Sequence, residues 1–212
     1  MGRNEVGNMR KELDYFQIDS AYGGIQDWFP ERMMRLGGCA IVTACDSCIY
    51  LQRHKGGTLC PPEMEGMNRQ VYIRFGERMK PYLRPRWTGI NKLELYIDGF
   101  GDYLRDIGED RLTMRPFAGT RPYAEAAETV RMQIDRGLPV PCLMLHHRDK
   151  QFADYDWHWF LLTGYDDTAD GMQVKAVTYG SWRWLELAPL WRTGYRQKGG
   201  LILYDWKDGG NA

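Results

Sequence analysis

The segment Gly37-Gly38-Cys39-Ala40-Ile41-Val42-Thr43-Ala44-Cys45 sets a cysteine behind two glycines and at the head of an apolar run. From Ala40 to Leu51 the run is apolar nearly all round, and Asp46 is its only charged residue. That pattern predicts a helix beginning near Cys39 and buried through the centre of a domain, a rigid mount for whatever its first residue does. A thiol at a helix start faces unsatisfied backbone N–H groups and the positive end of the helix dipole. Both favour the thiolate, so the expected pKa lies below that of a free cysteine.

Outward from this helix the chain divides by period. Residues 13 to 30 mix aromatics with Gly23-Gly24 and Pro30 and read as irregular structure. Met64, Met67, Val71, Phe75 and Met79 repeat at helical spacing up to Pro81, and Leu93, Tyr96, Ile97, Phe100 and Leu104 mark a third helix. A fourth runs from Pro122 to Gly137, with proline and glycine at the ends each prefers. The period then shortens. Val140 to Leu145, Trp157 to Tyr165, Met172 to Thr178, Trp182 to Leu187 and Leu201 to Trp206 read as strands, and the turn-rich Asp166 to Gly171 makes the second and third antiparallel neighbours. Helices followed by strands, without alternation, predict an α+β fold. Its expected organisation is one domain over 1–212, with a helical part at about 39–137 and a sheet part at about 138–206.

Lys plus Arg and Asp plus Glu both number 28, so the formal charge is zero and supplies no global attraction for nucleic acid or an anionic membrane. No nucleic-acid or membrane partner is expected. Five cysteines, an odd number, fit reduced thiols better than a disulfide scaffold. Residues 1–10 contain no apolar leader core, and no run approaches membrane-spanning length, so the expected location is cytoplasmic. No residue pattern speaks to oligomeric state.

Further along, Trp157-His158-Trp159-Phe160-Leu161-Leu162-Thr163-Gly164-Tyr165 places a histidine at the head of a strand. Gln26, the Gly38-Cys39-Ala40 helix start, the Pro139-Val140 strand entry and the His158 strand stand in the order glutamine, cysteine, histidine. Together they resemble the papain-like cysteine peptidases, in particular the compact branch typified by bacteriocin-leader-processing peptidases and their uncharacterised bacterial relatives. The resemblance spans roughly residues 20 to 190. It implies a papain-like fold, a peptide or amide substrate and no metal or organic cofactor. It makes Cys39 the nucleophile, His158 the general base and acid, and Gln26 an oxyanion donor beside the Cys39 N–H. Acyl transfer to an amine is an alternative on the same fold. Twelve residues separate Gln26 from Cys39, more than the family usually allows, and a loop inserted over Trp28 to Leu36 is the expected reason.

The third polar residue departs from the family. Where an Asn or Asp orients the imidazole, this chain has Val177-Thr178-Tyr179-Gly180-Ser181-Trp182. Thr178 or Tyr179 is then the expected orienter, and Asp156, two residues before the histidine on the same predicted strand, is a local alternative. The missing acid leaves a second reading open, a catalytically degenerate domain that holds a peptide or partner on Trp28, Trp157, Trp159 and Trp182. In the plainest reading Cys39 is a small buried hydrophobe and His158 a core histidine. Cys45-Asp46-Ser47-Cys48 lies inside the buried helix and reads as packing. His146 and His147, adjacent on a strand, point to opposite faces and cannot readily chelate one ion.

Overall fold

The computed structural model describes residues 9–207. Most of the N-terminal segment searched for a leader lies outside the described residues. Helix α1, Arg32–Gly37, is followed at once by α2, Cys39–Lys55, whose residues from Cys39 to Leu51 are buried except Val42. The two glycines are there for close approach. A β-carbon on Gly38 would lie 2.3 Å from the Met34 carbonyl oxygen, and one on Gly37 would lie 2.9 Å from that of Arg86. Any side chain at either position would push α2 off the turn that launches it. The expected inserted loop is therefore largely a short helix, α1.

Helices α3, Arg69–Met79, α4, Leu93–Asp106, and α5, Tyr123–Asp135, coincide closely with the periodic runs. The Met64 end of the second run is instead a 3-10 turn, Pro62–Gly66. Asn68 starts α3 by accepting from the Gln70 and Val71 N–H groups, so the helix begins where its first free donors are satisfied.

The sheet is antiparallel throughout. It contains β1, Met9–Glu12; β4, Leu112–Ala118; β5, Val140–Met144; β6, His158–Thr168; β7, Gly171–Thr178; β8, Ser181–Glu186; and β9, Gly200–Trp206. Their order is β4-β9-β5-β6-β7-β8, with β1 also paired to β6. The long strand β6 serves two partners on one edge. Its first half pairs with β5 from Met144↔His158 to Val140↔Leu162, and its second half with β1 from Glu12↔Gly164 to Met9↔Asp167. A register shift between Leu162 and Tyr165 separates the halves. A β-carbon on Gly164 would come within 2.9 Å of the Lys11 carbonyl oxygen, so the crossover needs glycine.

The architecture is α+β, with a mainly helical N-terminal part and a mainly antiparallel C-terminal sheet. Two strands of this sheet fall outside the expected division: β4 lies within the stretch read as helical and β1 precedes it. A small hairpin of β2, Gln17–Ile18, and β3, Ala21–Tyr22, and a short α6, Leu187–Trp191, complete the chain. Helix α2 packs on β6, which brings the first turn of the one to the first residues of the other.

Candidate active site

Cys39 is the first residue of α2 and only 5% exposed. Backbone N–H groups of Trp159, Ala40 and Cys39 itself act on its sulfur and favour the thiolate, as the helix start predicts. Burial opposes them and is the larger effect, so the thiol pKa is raised. The expectation of a lowered pKa is thus corrected: the helix terminus is present, but water is excluded from the sulfur. At neutral pH Cys39 is a neutral thiol.

His158 opens β6 and is 6% exposed. Its Nε2 lies 2.6 Å from Thr178 Oγ1, at the end of the neighbouring strand β7. Tyr179 lies flat on the ring, with centroids 4.6 Å apart and planes 6° from parallel. Burial lowers the His158 pKa from 6.5 to about 4, and no carboxylate among the described residues counters it. The histidine is a neutral imidazole at physiological pH.

Tyr179 and Gly180 form the two-residue turn between β7 and β8, both with positive φ, 53° and 69°. Glycine takes this conformation freely, whereas tyrosine does so at a steric cost. The cost is compensated by the stacking on His158 and by a hydrogen bond from the Tyr179 hydroxyl to the Asp154 carbonyl, 3.1 Å.

Asp156 does not reach the ring. Strand β6 begins only at His158, because Trp157 has φ 52° and turns the chain between them. Asp156 ends the 3-10 turn Lys150–Tyr155 and is exposed. The alternation that places residues i and i+2 on one face does not apply across that break.

Gln26 starts a 3-10 turn, Gln26–Trp28, and its Nε2 donates to the Arg35 carbonyl of α1 at 2.5 Å. Its Oε1 is buried without a hydrogen-bond partner. One amide proton is thus committed to α1, which leaves the second for another acceptor. The preceding loop is tied on two sides. Gly24 N–H donates to both oxygens of Asp46 on α2, at 3.2 and 3.1 Å, and the Tyr22 N–H donates to the Gly180 carbonyl at 2.8 Å.

Gly24, Gln26, Cys39, Asp46, His158, Thr178 and Tyr179 line one small recess, of about 10 Å³, between α2 and the β6–β7 edge. Trp159 contributes to its wall, but its indole is 2% exposed, stacked on Tyr96 and bonded through Nε1 to the Ile90 carbonyl at 2.6 Å. No family model, curated protein or solved structure matches this chain.

Of the four tryptophans expected to form a groove, Trp157 and Trp182 are each 45% exposed. Trp182 borders a second recess beside the first, shared with Asp154, Tyr155, Tyr179 and Arg183. Trp159 is a core residue, as described, and cannot offer its face to a ligand. Trp28 is half-buried, edge-on to Tyr72 and beneath Arg69, and borders neither recess. His146 contacts Trp157 and Tyr195, whereas His147 bonds the Pro189 carbonyl. All five cysteines are unpaired and buried, and among the described residues no group of three His, Cys, Asp or Glu side chains is arranged to hold a metal.

Asp46 lines the recess although neither its residue type nor a motif marks it for catalysis. Its signal is the single charge in the apolar run from Ala40 to Leu51, seven positions after Cys39 and hence on nearly the same face.

Proposed function

We propose that this protein is a thiol hydrolase of papain-like architecture that cleaves a peptide or amide bond through Cys39. The observation that carries the proposal is the shared recess of Cys39 and His158, with the ring held through Nε2 by Thr178. This leaves Nδ1 as the basic atom available to a thiol. A hydroxyl holds the ring in place and accepts from Nε2–H in the tautomer that leaves Nδ1 basic, but it supplies no charge to stabilise an imidazolium.

The reaction then starts from a neutral pair. As the Cys39 sulfur bonds to the substrate carbonyl carbon, its proton passes to Nδ1 of His158. The carbonyl oxygen takes up the negative charge and accepts from the Cys39 N–H and from the second amide proton of Gln26. Collapse breaks the C–N bond, and the amine leaves with the His158 proton. Water, deprotonated by the same ring, releases the acyl group and regenerates the thiol.

Competitive alkylation tests this reading. Native protein is treated with limiting iodoacetamide, and the label is mapped over the five cysteines in the wild type and in His158→Ala. Cys39 is expected to label first, and to lose that advantage without the imidazole. Labelling of Cys39 no faster than the other buried thiols, or indifferent to His158, ends the proposal. The second result favours a peptide-holding domain, a reading supported by the absence, among the described residues, of any carboxylate acting on His158.

A further inference from the structure

We infer that Asp46 is a positioning residue, holding the Gly23-Gly24-Ile25-Gln26 loop at the distance from α2 that aims the Gln26 amide at the carbonyl attacked by Cys39. The inference rests on the hydrolase reading above. Asp46 is 3% exposed on the buried face of α2 and accepts from three directions. These are Tyr15 Oη at 2.8 Å, Tyr72 Oη at 2.7 Å and the Gly24 N–H. The loop lies tight against Asp46 and Tyr72. A β-carbon on Gly23 would lie 2.5 Å from Asp46 Oδ2, and one on Gly24 would lie 2.0 Å from the Tyr72 hydroxyl.

The same loop touches the histidine side of the site. Ile25 packs against Gly180, where an added β-carbon would lie 2.5 Å from Ile25 Cδ1, and the Tyr22 N–H bonds the Gly180 carbonyl. Gly180 follows Tyr179, the cover of His158. A five-residue span therefore joins the helix bearing the thiol to the turn shielding the imidazole, and ends at the amide donor. Asp46 is its anchor on α2. Moving that anchor moves Gln26 and the Tyr179 turn together.

Asp46 carries a liability that packing alone gives no reason to keep. Burial raises its pKa from 3.8 to about 6, against the three hydrogen bonds that lower it. The titratable groups facing it are Tyr15 and Tyr72 from outside the helix and Cys45 and Cys48 on it, and burial raises all four. Across the recess stand neutral Cys39 and His158, the latter titrating near pH 4. A carboxyl protonated near pH 6 turns one oxygen from acceptor to donor, so the hydrogen bonds that Tyr15, Tyr72 and the loop make to it rearrange. Loss of alignment is expected on acidification through that pH, well before the imidazole protonates.

The experiment is the p-nitrophenolate burst from p-nitrophenyl acetate, followed against pH for wild type, Asp46→Asn, Tyr72→Phe and His158→Ala. In the burst the Cys39 sulfur bonds to the acetyl carbon, the thiol proton goes to His158, and the ester C–O bond breaks to release p-nitrophenolate. Wild type is expected to show a limb near pH 6. Asp46→Asn is expected to lack that limb and to be slower by about tenfold or more, the scale of small misplacements in an active site. Tyr72→Phe keeps the carboxylate and is expected to keep the limb. Thermal melting separates alignment from folding, because Asp46→Asn removes a buried charge and is expected to melt no lower than wild type at pH 7. A wild-type burst that Asp46→Asn reproduces in rate and pH profile overturns the role of Asp46 while leaving the hydrolase reading intact. No burst, or one indifferent to His158→Ala, overturns both. A slow Asp46→Asn that is also markedly less stable returns Asp46 to a purely structural role.

Discussion

The ring of Tyr179 covers that of His158 at 4.6 Å, and the covering residue is a tyrosine held in a left-handed backbone conformation. Removing the cover is expected to change titration more than folding. In Tyr179→Gly the backbone cost, about 1–2 kcal/mol for a non-glycine residue, disappears, while water gains the face of the imidazole. The His158 pKa should rise from about 4 towards its ordinary 6.5, as read by the ring proton shifts in an NMR titration. A value that stays near 4 means that the walls of the recess, and not Tyr179, keep the ring dry.

Thr178 is expected to matter through its hydroxyl alone. Thr178→Val keeps the shape and β-branching but leaves Nε2 of His158 buried without a partner, a cost of about 1–3 kcal/mol. Stability measured by denaturant unfolding should fall by that amount, and the nitrophenolate burst should be lost as the ring loses the hydrogen bond that holds it. Thr178→Ser should restore most of both. Equal bursts from Thr178→Val and wild type would show that the hydrogen bond does not orient the base.

Gln26 separates rate from stability. Its Oε1 is buried without a partner, and its Nε2 holds the Arg35 carbonyl, so truncation removes one unfavourable group along with one favourable bond. Gln26→Ala should melt close to wild type and acylate more slowly by on the order of 10²-fold, the usual loss for one oxyanion donor. An unchanged acylation rate assigns the amide to the α1 junction alone.

Two buried groups near the recess titrate with opposite signs. His158 has its folded pKa depressed from 6.5 to about 4, so its contribution is complete above pH 6.5 and is lost as pH falls through 4. Asp46 has its folded pKa raised from 3.8 to about 6, so its contribution is complete below pH 3.8 and is lost as pH rises through 6. Each amounts to about 3 kcal/mol, and between pH 6 and 4 they largely offset one another. Melting curves of single variants should expose them. Relative to wild type, Asp46→Asn should lose roughly 6–12 °C between pH 6 and 4, and His158→Ala should gain a similar amount. Parallel curves for all three proteins would mean that neither group is perturbed as described.

Much of the frame was legible because burial leaves a periodic trace. Helix α2 reads as buried all round, and β6 and β7 read as strands flanking a turn, which is enough to bring Thr178 beside His158. Strand β4 was not legible, since Arg115 and Pro116 interrupt it and only Leu112 and Phe117 are buried. Strand β1, Met-Arg-Lys-Glu, is exposed at every position, so its pairing to β6 leaves no hydrophobic signature. Asp156 was misplaced for another reason. Nothing in an Asp-Trp-His sequence announces that the tryptophan adopts positive φ, and the face-sharing argument fails on that one dihedral angle. Trp159 was misassigned because an indole beside a site residue reads alike whether it lines a groove or fills a core. The thiol's pKa was misjudged because a helix start can be seen in sequence, whereas the dryness around it comes from β6, over a hundred residues later.

The change of partners along β6 bears on how the chain reaches its folded state. The residues that pair with one edge of this strand come from β5, close by in sequence, and from β1, near the start of the described chain. Pairing across so long a separation is slow, since the entropy of closing the intervening chain is lost before contacts repay it. Helix α2 is synthesised well before β6, so a nascent chain carries the thiol in the absence of the imidazole, the hydroxyl that holds it and the tyrosine that covers it. Under the proposed mechanism, acylation at Cys39 that depends on His158 would then report on completed folding, since the thiol and the imidazole come together only once β6 has formed.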